Sequence, residues 1–304
     1  MKIAIVGASS YIAKDLILSF NDEHDLLLFC RRPEEMRTFM QGAGLTKFSV
    51  HEYHEILTER GWYPDAVLNF VGAGDPQHVI SMGADIFKVT ERYDGYALCF
   101  LRKPETKYIF ISSGAAYGDN FERPVTSASP AVFPMAPTPN HYYGLAKYQT
   151  ECAHRLIDRP IVDLRVYSYF SGTQDLSRRF MITDMLRAIK ENGWFKAHKN
   201  LMYRDYIGAV DFRKAVDAIL AAKPMNRAFN CYSTAPIEKE ELLEMMSSRF
   251  GLRVEISSEP LLNATGVKPY YYAIDRDLSE LGYVPTRSSL SNILDGATSI
   301  LNRN

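Results

Sequence analysis

The chain has 304 residues, enough for a large core and for about two domains. Hydrophobic residues make up 46% and charged residues 23%, an ordinary globular balance. The formal net charge of -1 excludes a general attraction to nucleic acid or to an anionic membrane surface.

The first apolar run, IAIVGA, is only of strand length and follows Lys2 directly, so neither a signal peptide nor a membrane span is expected, and the cytoplasm is the expected compartment. Apolar runs over 3–6, 26–29, 66–70 and 108–111 predict buried parallel strands. Between them YIAKDLILSF, GADIFKVTERYDGYALCFL and YYGLAKYQTECAHRLI carry helical spacing, and IVDLRVYSYF at 161–170 predicts a further strand. Strand and helix in alternation, with continuously apolar strands, imply a parallel sheet covered on both faces. From about 171 the pattern loosens into candidate helices near 175–191, 209–222, 236–249 and 288–302, with short strands AFNCYS and RVEIS between them. The Pro-rich stretch ERPVTSASPAVFPMAPTPN at 122–140 is long for a loop and predicts a functional flap or lid. The cysteines, Cys30, Cys99, Cys152 and Cys231, form no C-x-x-C pair, and His51 and His54 lack a third ligand, so reduced thiols and no metal are expected.

Three constellations carry chemistry. The turn GASSYIA joins the first strand to the first helix in the manner of a dinucleotide-binding turn, although only Gly7 of the usual three glycines is present. Spaced as G-x-x-G-x-x-G, it puts Ser10 where a phosphate approaches and Ala13 where helix packs on strand. The alternative spacing would set Tyr11 in the phosphate's path. Gly7, Ser9, Ser10, Tyr11 and Ile12 are therefore the candidate cofactor residues of this turn. The second strand ends in FCRRP, and Arg31 and Arg32 stand where an acid would accept from the 2′-hydroxyl of NAD. Arginine there suits the 2′-phosphate of NADP, so NADP is expected and NAD is the alternative. Finally, ISSGAAYG ends the strand near 111, and HYYGLAKYQTE places Tyr143 and Lys147 four apart on one helical face. A lysine beside a phenol favours phenolate, so Tyr143 could exchange a proton with a substrate oxygen that Ser113 holds.

Together with DAVLNFVGAG, LRVYSYFSG, YRDYIGAVDF and a terminal LGYVP, these segments resemble the extended short-chain dehydrogenase/reductases, the NAD-dependent epimerase/dehydratase family acting mainly on nucleotide sugars. The resemblance runs nearly end to end. It implies an α/β fold with a Rossmann-type doubly wound parallel sheet in residues 1–170, to which segments such as 209–232 return, and a smaller mixed α/β substrate lobe in 171–304 without a clean boundary. It implies a catalytic set of Ser113, Tyr143 and Lys147, with Lys147 also holding the nicotinamide ribose. It places Val71, Gly72 and Ala73 along the cofactor, Arg204 on the substrate's pyrophosphate and Ser168 where an asparagine often touches the substrate. A homodimer through helices at 84–102 and 142–158 is a further implication.

The family's 4,6-dehydratases carry an Asp-Glu pair after the position of Ser113, where this chain has Gly114 and Ala115. Its epimerase-reductases use a cysteine in the segment corresponding to ISSGAAYG, and none lies there. The expected activity is NADPH-dependent reduction of the C4 ketone of a 4-keto-6-deoxy nucleotide sugar, with Tyr143 as proton donor. An NAD-dependent C4 epimerase is the runner-up, and a non-catalytic dinucleotide-binding regulator is the alternative from another class.

Overall fold

The computed structural model describes residues 1–58, 61–72, 76–257 and 268–303. In chain order, the first half comprises β1 (Lys2–Val6), α1 (Tyr11–Phe20), β2 (Asp25–Phe29), α2 (Pro33–Gly42), β3 (Phe48–His51), α3 (Glu55–Thr58), β4 (Ala66–Asn69), α4 (Pro76–Met82), α5 (Asp85–Leu98), β5 (Lys107–Ser113), α6 (Pro139–Arg155) and β6 (Ile161–Val166). The second half comprises β7 (Ser168–Tyr169), α7 (Met181–Lys190), β8 (Trp194–His198), β9 (Tyr203–Arg204), β10 (Tyr206–Ile207), α8 (Ala209–Ala221), β11 (Arg227–Asn230), β12 (Ile237–Glu238), α9 (Lys239–Phe250), β13 (Arg253–Ser257), β14 (Tyr270–Tyr271) and α10 (Ser289–Leu301).

Seven strands form one parallel sheet in the order β11-β6-β5-β4-β1-β2-β3, a Rossmann-like arrangement. Its strands read as continuous apolar runs because both faces are covered: Ile3, Ala4, Ile5 and Val6 are all fully buried. One face packs Ile3, Ile5 and Leu28 against Leu16 and Phe20 of α1 and Phe212 and Val216 of α8. The opposite face packs Ala4, Val6 and Phe110 against Ala97 of α5. The strand order reverses between β1 and β4, so the crevice outside their carboxyl ends is the natural ligand position for such a sheet.

The remaining short sheets and α7, α9 and α10 surround a separate core of Phe170, Leu186, Leu242, Met246 and Ile293. Buried Asp15 of α1 ties this region to the sheet, accepting from Tyr169 at 2.6 Å and Ser171 at 2.5 Å.

Several elements differ from the sequence expectation. The apolar run 161–170 breaks after Val166, and Ser168 and Tyr169 turn aside to pair with Tyr206 and Ile207. The helix expected from 175 begins at Met181, because Asp175 turns the preceding chain by accepting from the Ser177 backbone at 2.8 Å. Helix α6 starts earlier than expected, at Pro139, with Thr138 and His141 forming a reciprocal cap. The Pro-rich stretch is pinned at both sides. Across its base the Asp119 nitrogen donates to the Val132 oxygen and the Val132 nitrogen to the Tyr117 oxygen, and Val125 pairs with Tyr272 and Ile274. The stretch expected as a functional flap or lid is thus tied to the rest of the fold at these points. Among the described residues no helix is long and apolar enough to cross a membrane, and no cluster of metal-ligating side chains is present.

Candidate functional site

The GASSYIA turn follows directly from β1. Gly7 has φ +85, and a Cβ there would lie 2.9 Å from the Val71 nitrogen at the end of β4. Only glycine permits both the turn and this approach. Ser10 sits in ordinary extended backbone and caps α1, its Oγ accepting from the Ala13 nitrogen at 3.2 Å. Ala13 is wholly buried, Ser9 is exposed, and Tyr11 and Ile12 are half-buried at the helix's first turn. The positive end of α1 thus faces the crevice. At the end of β2, Arg32 pairs with Glu35 at 3.1 Å on the surface, whereas exposed Arg31 has no ion-pair partner among the described residues. Tyr53 was not anticipated by any sequence signal: its phenol lies near the Gly7 backbone, and its ring packs edge-on against Tyr93 at 4.6 Å. Ala73, expected along the cofactor, lies outside the described residues.

The catalytic candidates converge at the carboxyl end of β5. Lys147, on α6, is 3% exposed; its ammonium donates to the Ile111 carbonyl at 2.8 Å and lies 4.2 Å from the Phe110 ring centroid. A Cβ on Gly72 would stand 3.4 Å from that ammonium, so the end of β4 meets Lys147 directly. Val71 at this end is fixed by its nitrogen, which donates to Asn69 Oδ1 at 3.0 Å. Ser113 ends β5, accepting from the Ala115 nitrogen at 3.2 Å, and its hydroxyl is within reach of the Tyr143 phenol. Burial pushes the Tyr143 phenol above its ordinary value, with Ser113 pulling it partly back. This corrects the expectation that Lys147 would make Tyr143 acidic: the ammonium is turned onto the Ile111 carbonyl. Burial lowers Lys147 itself from 10.5 to about 8, against the pull of Asp94, Glu151 and Asp163.

Behind α6 lies a buried polar chain. His154 bridges Asp163 at 2.6 Å and Asp94 at 3.0 Å, and Asp94 accepts from Tyr108 at 2.6 Å. Tyr108 in turn accepts from Asn69 at 3.0 Å. Beside it, Glu151 accepts from Ser112 at 2.5 Å and holds Arg165 through two nitrogens. These contacts fix α6 on β4, β5 and β6, and with it the positions of Tyr143 and Lys147.

The wall opposite Tyr143 comes from the C-terminal region. The Tyr271 hydroxyl lies 3.0 Å from Ser113 Oγ, and its ring packs on Phe121 and Tyr167. Arg204 on β9 stands 5.4 Å from the Tyr271 ring and donates to the backbone oxygens of Tyr203 and Lys268 at 2.8 and 2.6 Å. Asp205 is not its partner: that buried carboxylate accepts from Ser233 and Ser289. Ser168 is half-buried in β7, and its backbone nitrogen donates to the Asp205 oxygen. Its neighbour Tyr167 lies flat against Gly114, where a Cβ would come within 2.4 Å of the ring. The structure thus brings Ser113, Tyr143, Lys147 and Arg204 to one locus and adds Tyr271 and Lys268, which the sequence reading left without roles.

The fold agrees with comparisons to known proteins. A model of the NAD dependent epimerase/dehydratase family matches residues 3–231. No curated protein matches the sequence. Among solved structures, UDP-glucuronic acid 4-epimerase from Bacillus cereus, in complex with UDP-glucuronic acid and NAD, is similar with a TM-score of 0.78 and 19% identity over 99% of both chains. UDP-N-acetylglucosamine 4-epimerase from Methanobrevibacter ruminantium gives 0.82 and 15% over 100% of this chain and 99% of that one. The dTDP-glucose 4,6-dehydratase from Bacillus anthracis gives 0.78 and 14% over 100% and 97%. At these identities the likeness is one of fold.

Proposed function

This chain belongs to the NAD dependent epimerase/dehydratase family, and from that premise we propose that it is an NADPH-dependent reductase of the C4 ketone of a nucleotide sugar. The 4-keto-6-deoxy sugars are the class that the sequence resemblance suggests. The observation that carries the reading is the meeting of Ser113 with a Tyr143 phenol that burial keeps protonated. A protonated phenol is the form needed to give a proton to an alkoxide.

The turn suits a dinucleotide. Gly7 lets the backbone of β1 and β4 close together, and the uncrowded end of α1 can face a pyrophosphate. Gly7, Ser9, Ser10, Tyr11 and Ile12 would hold that part, Val71 and Gly72 the middle, and Lys147 the nicotinamide ribose. Bound NADPH would supply the hydride. Ser113 would hold the ketone oxygen, exchanging its bond with Tyr271 for one to the substrate, and Tyr143 would protonate that oxygen as charge develops. Arg204, already oriented by two carbonyls, would fork onto the diphosphate. Arg31 supports NADP because no described residue holds its guanidinium in an ion pair. Elimination chemistry is disfavoured, since an aspartate at Gly114 would collide with Tyr167.

C4 epimerisation is the second reading. The family's description names NAD, and similar 4-epimerase structures were solved with NAD. The test is to release any nicotinamide by denaturation and to titrate the remaining protein with NADPH and NADH by fluorescence. Empty protein that prefers NADPH and consumes it with a 4-keto nucleotide sugar supports the reductase. Stoichiometric, non-exchanging NAD with interconversion of C4 epimers would replace it with the epimerase. If Tyr143→Phe leaves the biological activity unchanged, neither enzyme reading stands.

A further inference from the structure

His141 belongs to neither the cofactor turn nor the catalytic set, yet it ties down the helix that carries Tyr143. It is the third residue of α6, two before Tyr143, and only 17% of its side chain is exposed. Its Nδ1 lies 3.1 Å from the Thr138 backbone nitrogen and 2.9 Å from the Thr138 hydroxyl. Its Nε2 lies 3.1 Å from Oδ2 of Asp119. Asp119 precedes the Pro-rich stretch and Thr138 stands near its end, so the imidazole clasps the two ends together.

The partners dictate where the ring holds its proton. A backbone nitrogen can only donate, so Nδ1 accepts and carries no hydrogen. A carboxylate can only accept, so Nε2 carries the hydrogen. The clasp is therefore made by neutral imidazole in one tautomer. A second proton would set an N–H on Nδ1 against the Thr138 N–H and break the cap. Two positive groups oppose that proton: the N-terminal end of α6 and the Lys268 ammonium, which lines the same corner. Asp119 favours it, but this carboxylate already accepts from Nε2 and is 48% exposed, so solvent screens the added attraction. The lost cap outweighs it.

The clasp bears on the site because the same turn seats α6. Gly144 comes so close to the Ala115 carbonyl that a Cβ has no room there, and Ala115 is two residues past Ser113. The approach of the Tyr143 phenol to Ser113 thus depends on where Thr138 and Asp119 hold the start of α6. We propose that His141 is a positioning residue: as neutral imidazole it holds the first turn of α6, and Tyr143 with it, and on protonation it releases both. Only the role given to Tyr143 rests on the reductase reading. Histidine is the side chain that ordinarily changes charge between about pH 5 and 8, so the release falls on the acid side of neutrality.

The test is amide hydrogen exchange of residues 138–144, each rate divided by its intrinsic value, at about pH 7.5 and about pH 5.5. The proteins compared are the wild type, His141→Gln and His141→Ala. Glutamine at the third helical position accepts from the capping residue's N–H, as in the usual capping box, and takes up no proton. At the higher pH the wild type and His141→Gln should be protected alike, and His141→Ala about fivefold less, the factor for one lost cap. At the lower pH the wild type should fall to the level of His141→Ala while His141→Gln keeps its protection. A ratio of wild type to His141→Ala that is the same at both pH values overturns the proposal. Loss of protection in acid by His141→Gln in parallel with the wild type overturns it too, as does a proton found on Nδ1 at the higher pH in the nitrogen-15 spectrum of the ring. Exchange needs neither cofactor nor substrate, so it decides the clasp whatever becomes of the reductase. Where NADPH is consumed with a 4-keto nucleotide sugar, the wild type's kcat relative to His141→Gln should drop from the higher to the lower pH with KM unchanged. A constant kcat ratio overturns the link to Tyr143.

Discussion

Replacing Lys147 by methionine should stabilise the protein at neutral pH. The ammonium is 3% exposed, with one carbonyl at 2.8 Å, and burial holds it at about 8 against an ordinary 10.5. That gap corresponds to roughly 3 kcal/mol at about 1.4 kcal/mol per pH unit. Below pH 8 the lysine is charged in both folded and unfolded chains, and the folded state carries the whole penalty. Between 8 and 10.5 the folded protein gives up the proton while the unfolded chain retains it, so the penalty fades as pH rises. Methionine fills a similar volume without charge. It forfeits the hydrogen bond to Ile111, worth about 1 kcal/mol, which leaves a net gain of about 2 kcal/mol at pH 7. Urea unfolding of both proteins at pH 7 and at pH 9.5 measures this. The variant's advantage should be clear at pH 7 and shrink at pH 9.5. A variant that is less stable at pH 7, by an amount that pH does not change, would refute the reasoning and make the ammonium a structural tie. A gain would also explain why so costly a group is present: its use lies in the site, where stability is exchanged for function.

The buried His154 should act in the opposite sense. Burial alone would lower it, but its hydrogen bonds to Asp163 and Asp94 outweigh this and lift it from 6.5 to about 9. Its contribution is complete below pH 6.5 and disappears as pH rises through 9, so His154→Gln should flatten the wild type's loss of stability over that window in urea titrations. Gly114→Ala should cost about 2 kcal/mol or more by driving a methyl into the Tyr167 ring, and adding Tyr167→Leu should recover most of it in thermal melts. For the cofactor, Arg31→Ser should weaken NADPH about tenfold in fluorescence titrations and leave NADH unchanged. Arg32→Ser should do little, because that side chain is exposed and already paired with Glu35.

What could be read from the sequence follows how locally each feature is encoded. The strands of the central sheet are legible because burial on both faces makes them continuously apolar. By contrast, α2 buries only Met36 and Met40, and β3 only Val50, so neither announces itself by periodicity. Tyr143 and Lys147 share one turn of one helix, and their spacing alone suggests a pair. Tyr271 reaches Ser113 across 158 residues of sequence, through the pairing of β14 with β9. Three successive tyrosines at 270–272 say nothing about which of them faces the serine. Lys268 is hidden for the same reason: a lone lysine before a proline reads as surface, and only the tertiary fold removes its solvent. The expected acidification of Tyr143 failed on direction, because helical spacing sets which face Lys147 shares but not where a long flexible side chain ends.

The sparse GASSYIA turn shows which part of a dinucleotide motif physics demands. A glycine is unavoidable only at Gly7, where φ is positive and the β4 backbone would meet any Cβ at 2.9 Å. At Ser10 the backbone has φ -68 and ψ 149, a conformation any residue adopts, and a hydroxyl there caps the helix as a glycine cannot. At Ala13 the helix packs on the sheet with the methyl fully buried, so that methyl adds contact where a glycine would add helix-breaking freedom. Two of the three glycines are therefore replaced by residues that stabilise α1. The one that shapes the crevice remains, and the loss of glycines at Ser10 and Ala13 is no argument that the turn has lost its ligand.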